Sequence, residues 1–101
     1  MTDSDAPRRV EHDTGGQAYR LFDGDVEVSH AEYREIVDDQ GRPRLVFHHT
    51  FTDPAHRGHG YADEVVRAAL DDVLERDLKI VPQCWVVAQV AGGDDRYAAL
   101  L

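Results

Sequence analysis

One short segment constrains this chain more than any other: Arg57-Gly58-His59-Gly60-Tyr61-Ala62 joins a strand-like run to an amphipathic helix. The helix is predicted by apolar residues that recur with a helical period, at Ala62, Val65, Val66, Ala69, Leu70 and Val73. Glycines let the backbone turn sharply and let a ligand approach it closely. The free N–H groups of a helix N-terminus, together with the helix dipole, favour a phosphate or pyrophosphate. The segment therefore predicts an anion-binding loop, and a turn that only starts the helix is the alternative.

Strand-like runs lie on both sides of that helix, at residues 45–51 and 78–81. Alternation along the first run predicts a single face made of Leu45, Phe47, His49 and Phe51. Pro82 stops the second run. A strand, a crossover helix and a parallel strand form a βαβ unit, which brings the carboxyl ends of both strands to one edge of the sheet. His49 and Cys84 are therefore expected near the edge where open α/β sheets bind ligands.

Antiparallel strands are expected in the N-terminal half of the chain. Residues 18–22 and 26–28 are strand-like and flank Asp23-Gly24, which is a strong hairpin signal. The second strand is expected to continue to Val37, with a bulge or bend within residues 28–31 because the in/out parity changes there. The predicted fold class is thus α+β, with antiparallel strands leading into the βαβ unit.

A chain of 101 residues is expected to form one domain around one core. Residues 1–14 are predicted to be a flexible tail, because their beginning is polar and carries a proline, and residues 15–101 to be the domain. Residues 85–91 are apolar, and they are either helical or extended. Residues 94–101 are expected to form a final short helix.

The net charge of −9, with 20 acidic against 11 basic residues, argues against nucleic acid as a partner. The same charge would tolerate or attract a cationic partner such as an amine, although solubility alone would explain it. The single cysteine excludes an internal disulfide. No apolar run approaches the roughly 20 residues of a membrane span, and no signal-peptide core is visible. A cytoplasmic protein without a membrane partner is expected, and its oligomeric state is left open.

Four segments carry a resemblance to a known family. The glycine loop reads as Arg-x-x-Gly-x-Ala with an extra glycine in its first gap. It resembles the Arg/Gln-x-x-Gly-x-Gly/Ala loop of the GNAT acyl-CoA N-acetyltransferase superfamily. The other three resemble the small, single-domain GNAT-like subgroup and are His49-Thr50-Phe51, Ile80-Val81-Pro82-Gln83-Cys84 and Tyr97-Ala98-x-Leu100. Together they cover residues 15 to 101, and Trp85-Val86 stands where the subgroup usually has Pro-Phe.

The resemblance implies a compact, minimal GNAT-like fold and the transfer of an acetyl group from acetyl-CoA to an amine. In the superfamily this loop binds the pyrophosphate of coenzyme A. The cofactor-binding residues it implies here are Arg57, Gly58, His59, Gly60, Tyr61 and Ala62. Backbone N–H groups would bind the phosphates, and Arg57 could add a charge-assisted hydrogen bond.

Two residues are candidates for catalysis. His49 could be the general base, because imidazole titrates near neutral pH, and a core histidine bonded to backbone is the alternative. Cys84 could accept the acetyl group as a thiolate, lie passively beside the thioester, or only pack. Tyr97 could reprotonate the leaving thiolate, but a packed tyrosine is the favoured interpretation.

No metal site is predicted. Four of the histidines lie close together in the sequence, at His48, His49, His56 and His59. Alternation along the strand places the adjacent pair on opposite faces, and no Cys-x-x-Cys or His-Glu-x-x-His pattern is present.

Two functions remain open at this point. The first is an acetyl-CoA-dependent N-acetyltransferase. The resemblance implies an open acceptor groove, which favours an amine on a peptide or protein, a polyamine, or a second chain that completes the pocket. The second is a non-catalytic acyl-CoA-binding or protein-interaction module that keeps the glycine loop.

Overall fold

The computed structural model describes residues 7–101, which form one five-stranded sheet, two α-helices and two 3-10 turns. The strands, in their order across the sheet, are β1 Arg8–Asp13, β2 Ala18–Asp23, β3 Val26–Val37, β4 Pro43–Thr52 and β5 Lys79–Pro82. The helices are α1, Tyr61–Glu75, and α2, Trp85–Gly93, and the 3-10 turns are Pro54–His56 and Asp95–Leu100. β1 to β4 pair antiparallel, and β4 pairs with β5 in parallel. The predicted α+β class and its βαβ unit are confirmed.

α1 covers one face of the sheet, because its apolar residues form a stripe at helical spacing. The fully buried members of that stripe are Val65, Val66, Ala69, Leu70 and Val73. They join side chains of all the strands from β2 to β5, and of α2, in one core cluster. Burying each Val or Leu side chain contributes about 1.5–3 kcal/mol. On the solvent side of α1, Arg67 bonds to Asp63 and Arg76 to Asp72, each at 2.7 Å and at the expected i,i+4 spacing.

β1 corrects the expectation that residues 1–14 form a flexible tail. Residues 1–6 lie outside the described part of the chain, but β1 pairs with β2 along its whole length. Val10 packs against the core, and the His12 ring stacks on Tyr19 with centroids 4.1 Å apart. The strand escapes a hydrophobic pattern search because one of its inward positions is a histidine.

A bulge on β3 confirms the expected irregularity after residue 28. Phe22 pairs with Glu27, and the preceding residue Leu21 pairs with Ser29, so that Val28 has no partner. An unpaired extra residue of this kind reverses the alternation of the strand and increases its twist.

A second bulge, on β4, was not predicted. Phe47 and His49 pair with successive residues of β3, so that His48 between them has no partner. The side chains after it change face. Phe47 is therefore fully buried in the core, whereas His49 and Phe51 are exposed on the other face of the sheet. The sequence predicted a single face made of Leu45, Phe47, His49 and Phe51. This prediction is wrong for His49 and Phe51.

The C-terminal part resolves the ambiguity left by its sequence. Residues 85–91 are helical and belong to α2. Val87, Val90 and Ala91 lie on one side of this helix and pack into the core. The helix extends two residues beyond the apolar run, through Gly92 and Gly93. The final segment is a 3-10 turn. Neither helix among residues 7–101 is long and apolar enough to span a membrane.

Candidate functional site

The glycine loop turns through two residues in the left-handed conformation before α1 begins. Gly58 has a φ of 90° and Gly60 a φ of 75°. Residues with a side chain rarely adopt this region. A Cβ atom on either glycine would meet no heavy atom of residues 7–101 within 4 Å, its own chain neighbours aside. The glycines are therefore needed for their backbone angles, and the space above the loop is open to a ligand.

The N-terminus of α1 has no side-chain cap. Its N-cap residue is Gly60, so no side chain there accepts the first N–H groups of the helix. Two carboxylates in the first turn would oppose an anion, but each is paired with an arginine. Asp63 bonds to Arg67 at 2.7 Å, and Glu64 bonds to Arg8 at 2.9 Å. The helix N-terminus therefore retains its capacity to bind a phosphate group.

A cleft of about 630 Å³ lies beside this loop, between β4 and the start of α2. Its lining residues are Thr52, Arg57, Gly58, Gly60, Tyr61, Ala62, Trp85 and Val86. Of the six residues predicted to bind the cofactor, His59 alone is not in the lining, and its ring stacks on Tyr61 with centroids 5.2 Å apart. Arg57 is exposed and forms no salt bridge with any residue of the described range 7–101. Trp85 is 68% exposed. The cleft thus combines a free guanidinium, a free helix end and an aromatic wall.

A second cleft, of about 490 Å³, lies beside the turn between β3 and β4 and is a weaker candidate. It is lined by the turn between β3 and β4 and by Val81. Two carboxylates, Asp38 and Asp39, belong to its wall against one arginine, Arg44, which pairs with Asp38 at 2.9 Å, and neither helix of residues 7–101 begins there. Its charge would oppose phosphate binding.

β4 and β5 separate close to the glycine-loop cleft. They pair over four residues only, and the last pair is Phe47 with Pro82. The Cys84 N–H then donates to the Phe47 carbonyl oxygen at 2.9 Å, and the chain turns into α2. In the described part of the chain, residues 48–52 of β4 have no strand partner on this side. A free strand edge offers N–H and C=O groups to an extended ligand.

The structure places His49 and Cys84 on opposite faces of the sheet at the start of this gap. Cys84 is half-buried against the core, with its Sγ 3.3 Å from Thr50 Oγ1. His49 lies on the other face and is exposed, so it is not a core histidine. Neither residue lines the glycine-loop cleft. Both remain close to the point where β4 and β5 diverge, but their side chains do not meet on one side of the sheet.

Tyr97 packs, as favoured from the sequence. Its ring is fully buried, and its hydroxyl donates to Asp71 Oδ1 at 2.9 Å. Burial, and next the hydrogen bond to Asp71, raise the pKa of Tyr97. Tyr97 does not line the cleft.

Sequence reasoning missed two polar residues that the sheet brings next to His49. Glu32 is its direct partner across the strands, and His30 follows on the same face of β3. One ligand-capable atom from each of the three residues lies within 4.8 Å of the others. The His30-x-Glu32 alternation was visible in the sequence, but the strand register that adds His49 was not.

Comparisons with known proteins identify the family of this chain. The family described as GCN5-related N-acetyl-transferase matches residues 18–100. Mouse protein NATD1 is 35% identical over 81 residues, which are 80% of this chain and 71% of NATD1. The chicken protein NATD1 is 31% identical over 87 residues, which are 86% of this chain and 76% of that protein.

Similarity extends to a solved structure, at the level of the fold. A crystal structure of an aminoglycoside acetyltransferase from an uncultured soil metagenomic sample superposes with a TM-score of 0.56 and 15% sequence identity. The match covers 64% of this chain but only 43% of that protein. Since the family match covers nearly the whole described chain, the protein belongs to the GCN5-related N-acetyltransferase family, whose co-substrate is acetyl-CoA.

Proposed function

We propose that this protein is an acetyl-CoA-dependent N-acetyltransferase that acts on a primary amine carried by a peptide, a protein or a polyamine. The observation that carries the proposal is the uncapped N-terminus of α1, which opens through two left-handed glycines into the cleft beside Arg57. This arrangement suits the pyrophosphate of coenzyme A.

In the proposed complex, the pyrophosphate lies on the N–H groups of Gly58 to Ala62. Arg57, which has no salt-bridge partner among residues 7–101, adds a charge-assisted hydrogen bond to a phosphate oxygen. Trp85 and Val86 form the apolar wall of the cleft and contact the remainder of the cofactor.

The pantetheine arm then extends along the free edge of β4. Its amide groups pair with backbone groups of residues 48–52, in the manner of an added strand. This direction brings the thioester to the gap between β4 and β5, beside Thr50 and Cys84.

Acetyl transfer proceeds by direct attack in this proposal. The neutral amine nitrogen attacks the thioester carbonyl carbon, the C–S bond breaks, and coenzyme A leaves as the thiolate. His49 accepts the proton from the amine on the open face of the sheet, directly or through a water molecule. Cys84 lies on the other face, where it packs against the core beside the thioester.

The acceptor reaches the reaction from the open face. Both helices pack on the other face, so an extended chain can lie across the strands beside His49. The net charge of −9 favours a cationic acceptor through long-range attraction.

The experiment combines binding and turnover. Calorimetry with acetyl-CoA tests the cleft, and CoA release is then measured with a panel of amines that includes a lysine peptide, spermidine and a neutral amino sugar. We expect release only with an acceptor, and apparent acceptor affinity that weakens as salt rises. Binding without release for any amine would favour the alternative, a non-catalytic acyl-CoA-binding module.

A Cys84→Ser variant separates direct attack from a covalent route. We expect a normal rate of CoA release, because the thiol takes no part in bond formation. Loss of turnover, together with an acetylated wild-type enzyme detected by mass spectrometry before the amine is added, would establish the acetyl-cysteine route instead.

A further inference from the structure

We propose that His30, Glu32 and His49 form a binding site for a divalent transition-metal ion of the Zn²⁺ class on the open face of the sheet. Nothing in the acetyl transfer described above requires such an ion. The site goes beyond the proposed function and is argued from three side chains that two neighbouring strands bring together.

The geometry of the three residues follows from strand pairing. His30 and Glu32 are two residues apart on β3 and share a face, and His49 of β4 is the cross-strand partner of Glu32. His30 Nε2 and Glu32 Oε2 are 2.9 Å apart, and all three ligand-capable atoms lie within 4.8 Å of one another. Ligand atoms on one tetrahedral zinc ion are about 3.4 Å apart. The exposed His49 side chain therefore needs to move by no more than about 1.5 Å to complete the set.

The ligand types match a transition-metal ion. Two imidazoles and one carboxylate bind zinc with one position left open, and they also bind ferrous iron. Magnesium and calcium prefer sites made of oxygen atoms alone. The site is accessible, because Glu32 is 39% exposed and His49 is also exposed.

A second carboxylate orients the first histidine. Glu27 Oε2 lies 2.9 Å from His30 Nδ1, and this oxygen is also 3.4 Å from the Arg20 guanidinium. A ligating histidine commonly donates its other ring N–H to a carboxylate, which fixes the tautomer and strengthens the metal-binding nitrogen. In the proposed metal-bound state, Nδ1–H would donate to Glu27, and the Nε2 lone pair would bind the ion beside Glu32 and His49.

Without a metal ion, the His30 ring bridges the two carboxylates, with Nδ1 2.9 Å from Glu27 and Nε2 2.9 Å from Glu32. This network without a metal ion is the alternative description of the cluster. It predicts no specific affinity for Zn²⁺, whereas the proposed site predicts such an affinity. Since His49 belongs to the site, a bound ion would occupy a nitrogen that the proposed acetyl transfer uses. Metal binding is therefore measured without acetyl-CoA, which keeps its outcome independent of the proposed function.

The test uses untagged, chelator-treated protein. Co²⁺ is added first, and we expect the visible absorption bands of a tetrahedral or five-coordinate ion at one equivalent. Zn²⁺ should remove these bands, whereas excess Mg²⁺ should not. In the wild-type protein, Co²⁺ should also broaden the ring resonances of His30 and His49 before those of His56.

Variants identify the ligands. We expect His30→Gln and Glu32→Gln to lower Zn²⁺ affinity at least about a hundredfold, and Glu27→Gln to lower it about ten- to a hundredfold through the orienting hydrogen bond. His56→Gln is the matched control and should bind zinc as the wild type does. Circular dichroism confirms folding of each variant. Featureless cobalt spectra in the wild type, or zinc affinity that is unchanged in folded His30→Gln, would overturn the proposal.

Discussion

Phe47 and Phe51 lie four residues apart on β4, yet they occupy opposite environments. Phe47 is fully buried against Tyr19 and Tyr33 under α1. Phe51 is 40% exposed on the other face, where it stacks on His30. In a regular strand the two side chains would share a face, and the unpaired His48 between them is the reason that they do not.

The two faces of the sheet therefore have different tasks. The face covered by the helices carries the core and most of the stability. The open face, next to the point where β4 and β5 separate, carries the polar residues that could act on a ligand. A single extra residue on β4 moves His49 from the first group to the second. Four experiments test how sharply the faces differ.

The largest effect is expected for the pair of phenylalanines. Phe47→Ala should lower the free energy of unfolding by about 3–5 kcal/mol, because it leaves a cavity in the core. Phe51→Ala should lower it by no more than about 1 kcal/mol, since the side chain is already partly in water. Urea denaturation measures both. Equal losses in the two variants would show that the open face is covered in solution.

The next largest effect concerns catalysis on the open face. His49→Gln should lower the rate of CoA release by about a hundredfold or more, the usual scale of general acid–base catalysis, when assayed with a chelator present. His48→Gln is the matched control from the bulge itself and should keep most of the rate. The proposed role of His49 fails if the two variants have the same turnover.

A smaller effect is expected at the glycine loop. Asn and Asp both tolerate the left-handed conformation of Gly60, so Gly60→Asn and Gly60→Asp differ mainly in charge. We expect Gly60→Asp to bind CoA at least about tenfold more weakly than Gly60→Asn, since a carboxylate at this position repels the phosphates and an amide does not. Calorimetry compares the two. Equal CoA affinities of the two variants would show that the phosphates do not bind at the N-terminus of α1.

The smallest effect concerns the pH dependence of stability and comes from His12, a histidine on the covered face of the sheet. Burial, and next the Arg76 charge, lower the pKa of His12 below its usual 6.5, and they outweigh Asp72 at 3.6 Å. The unfolded chain therefore binds this proton more readily, and stability falls as the pH falls below about 6.5 toward the folded-state pKa. His12→Gln should flatten that part of the stability curve. Parallel curves for the two proteins, from denaturation at several pH values, would contradict this.

Much of the fold could be predicted from local signals. The hairpin at Asp23-Gly24, the periodic face of α1 and the stop at Pro82 each depend on residues close in sequence, and each lies where expected. β1 was missed because an inward histidine, His12, contributes no hydrophobic signal although it stacks on Tyr19. The helical state of α2 was left open because residues that are nearly all apolar have no distinct period.

The candidate site also has one part that local signals predict and one part that they do not. The loop from Arg57 to Ala62 could be found from its glycines and the helix after it, because backbone angles and helix ends are local properties. The neighbours of His49 could not be found, because they come from β3. Alternation alone placed His49 on the same face as Phe47, and only the pairing with Glu32 reveals that it lies on the opposite one.

By itself, the sequence determined an α+β fold, a glycine loop at a helix N-terminus and a family, since these follow from residue types and short spacings. Only the tertiary structure decided which face His49 occupies, which residues surround it and where the strand edge is free. The physical reason is the strand register. A bulge is a property of two paired strands. The hydrogen bonds between the strands select the side chains that meet, and the order of residues in one strand does not.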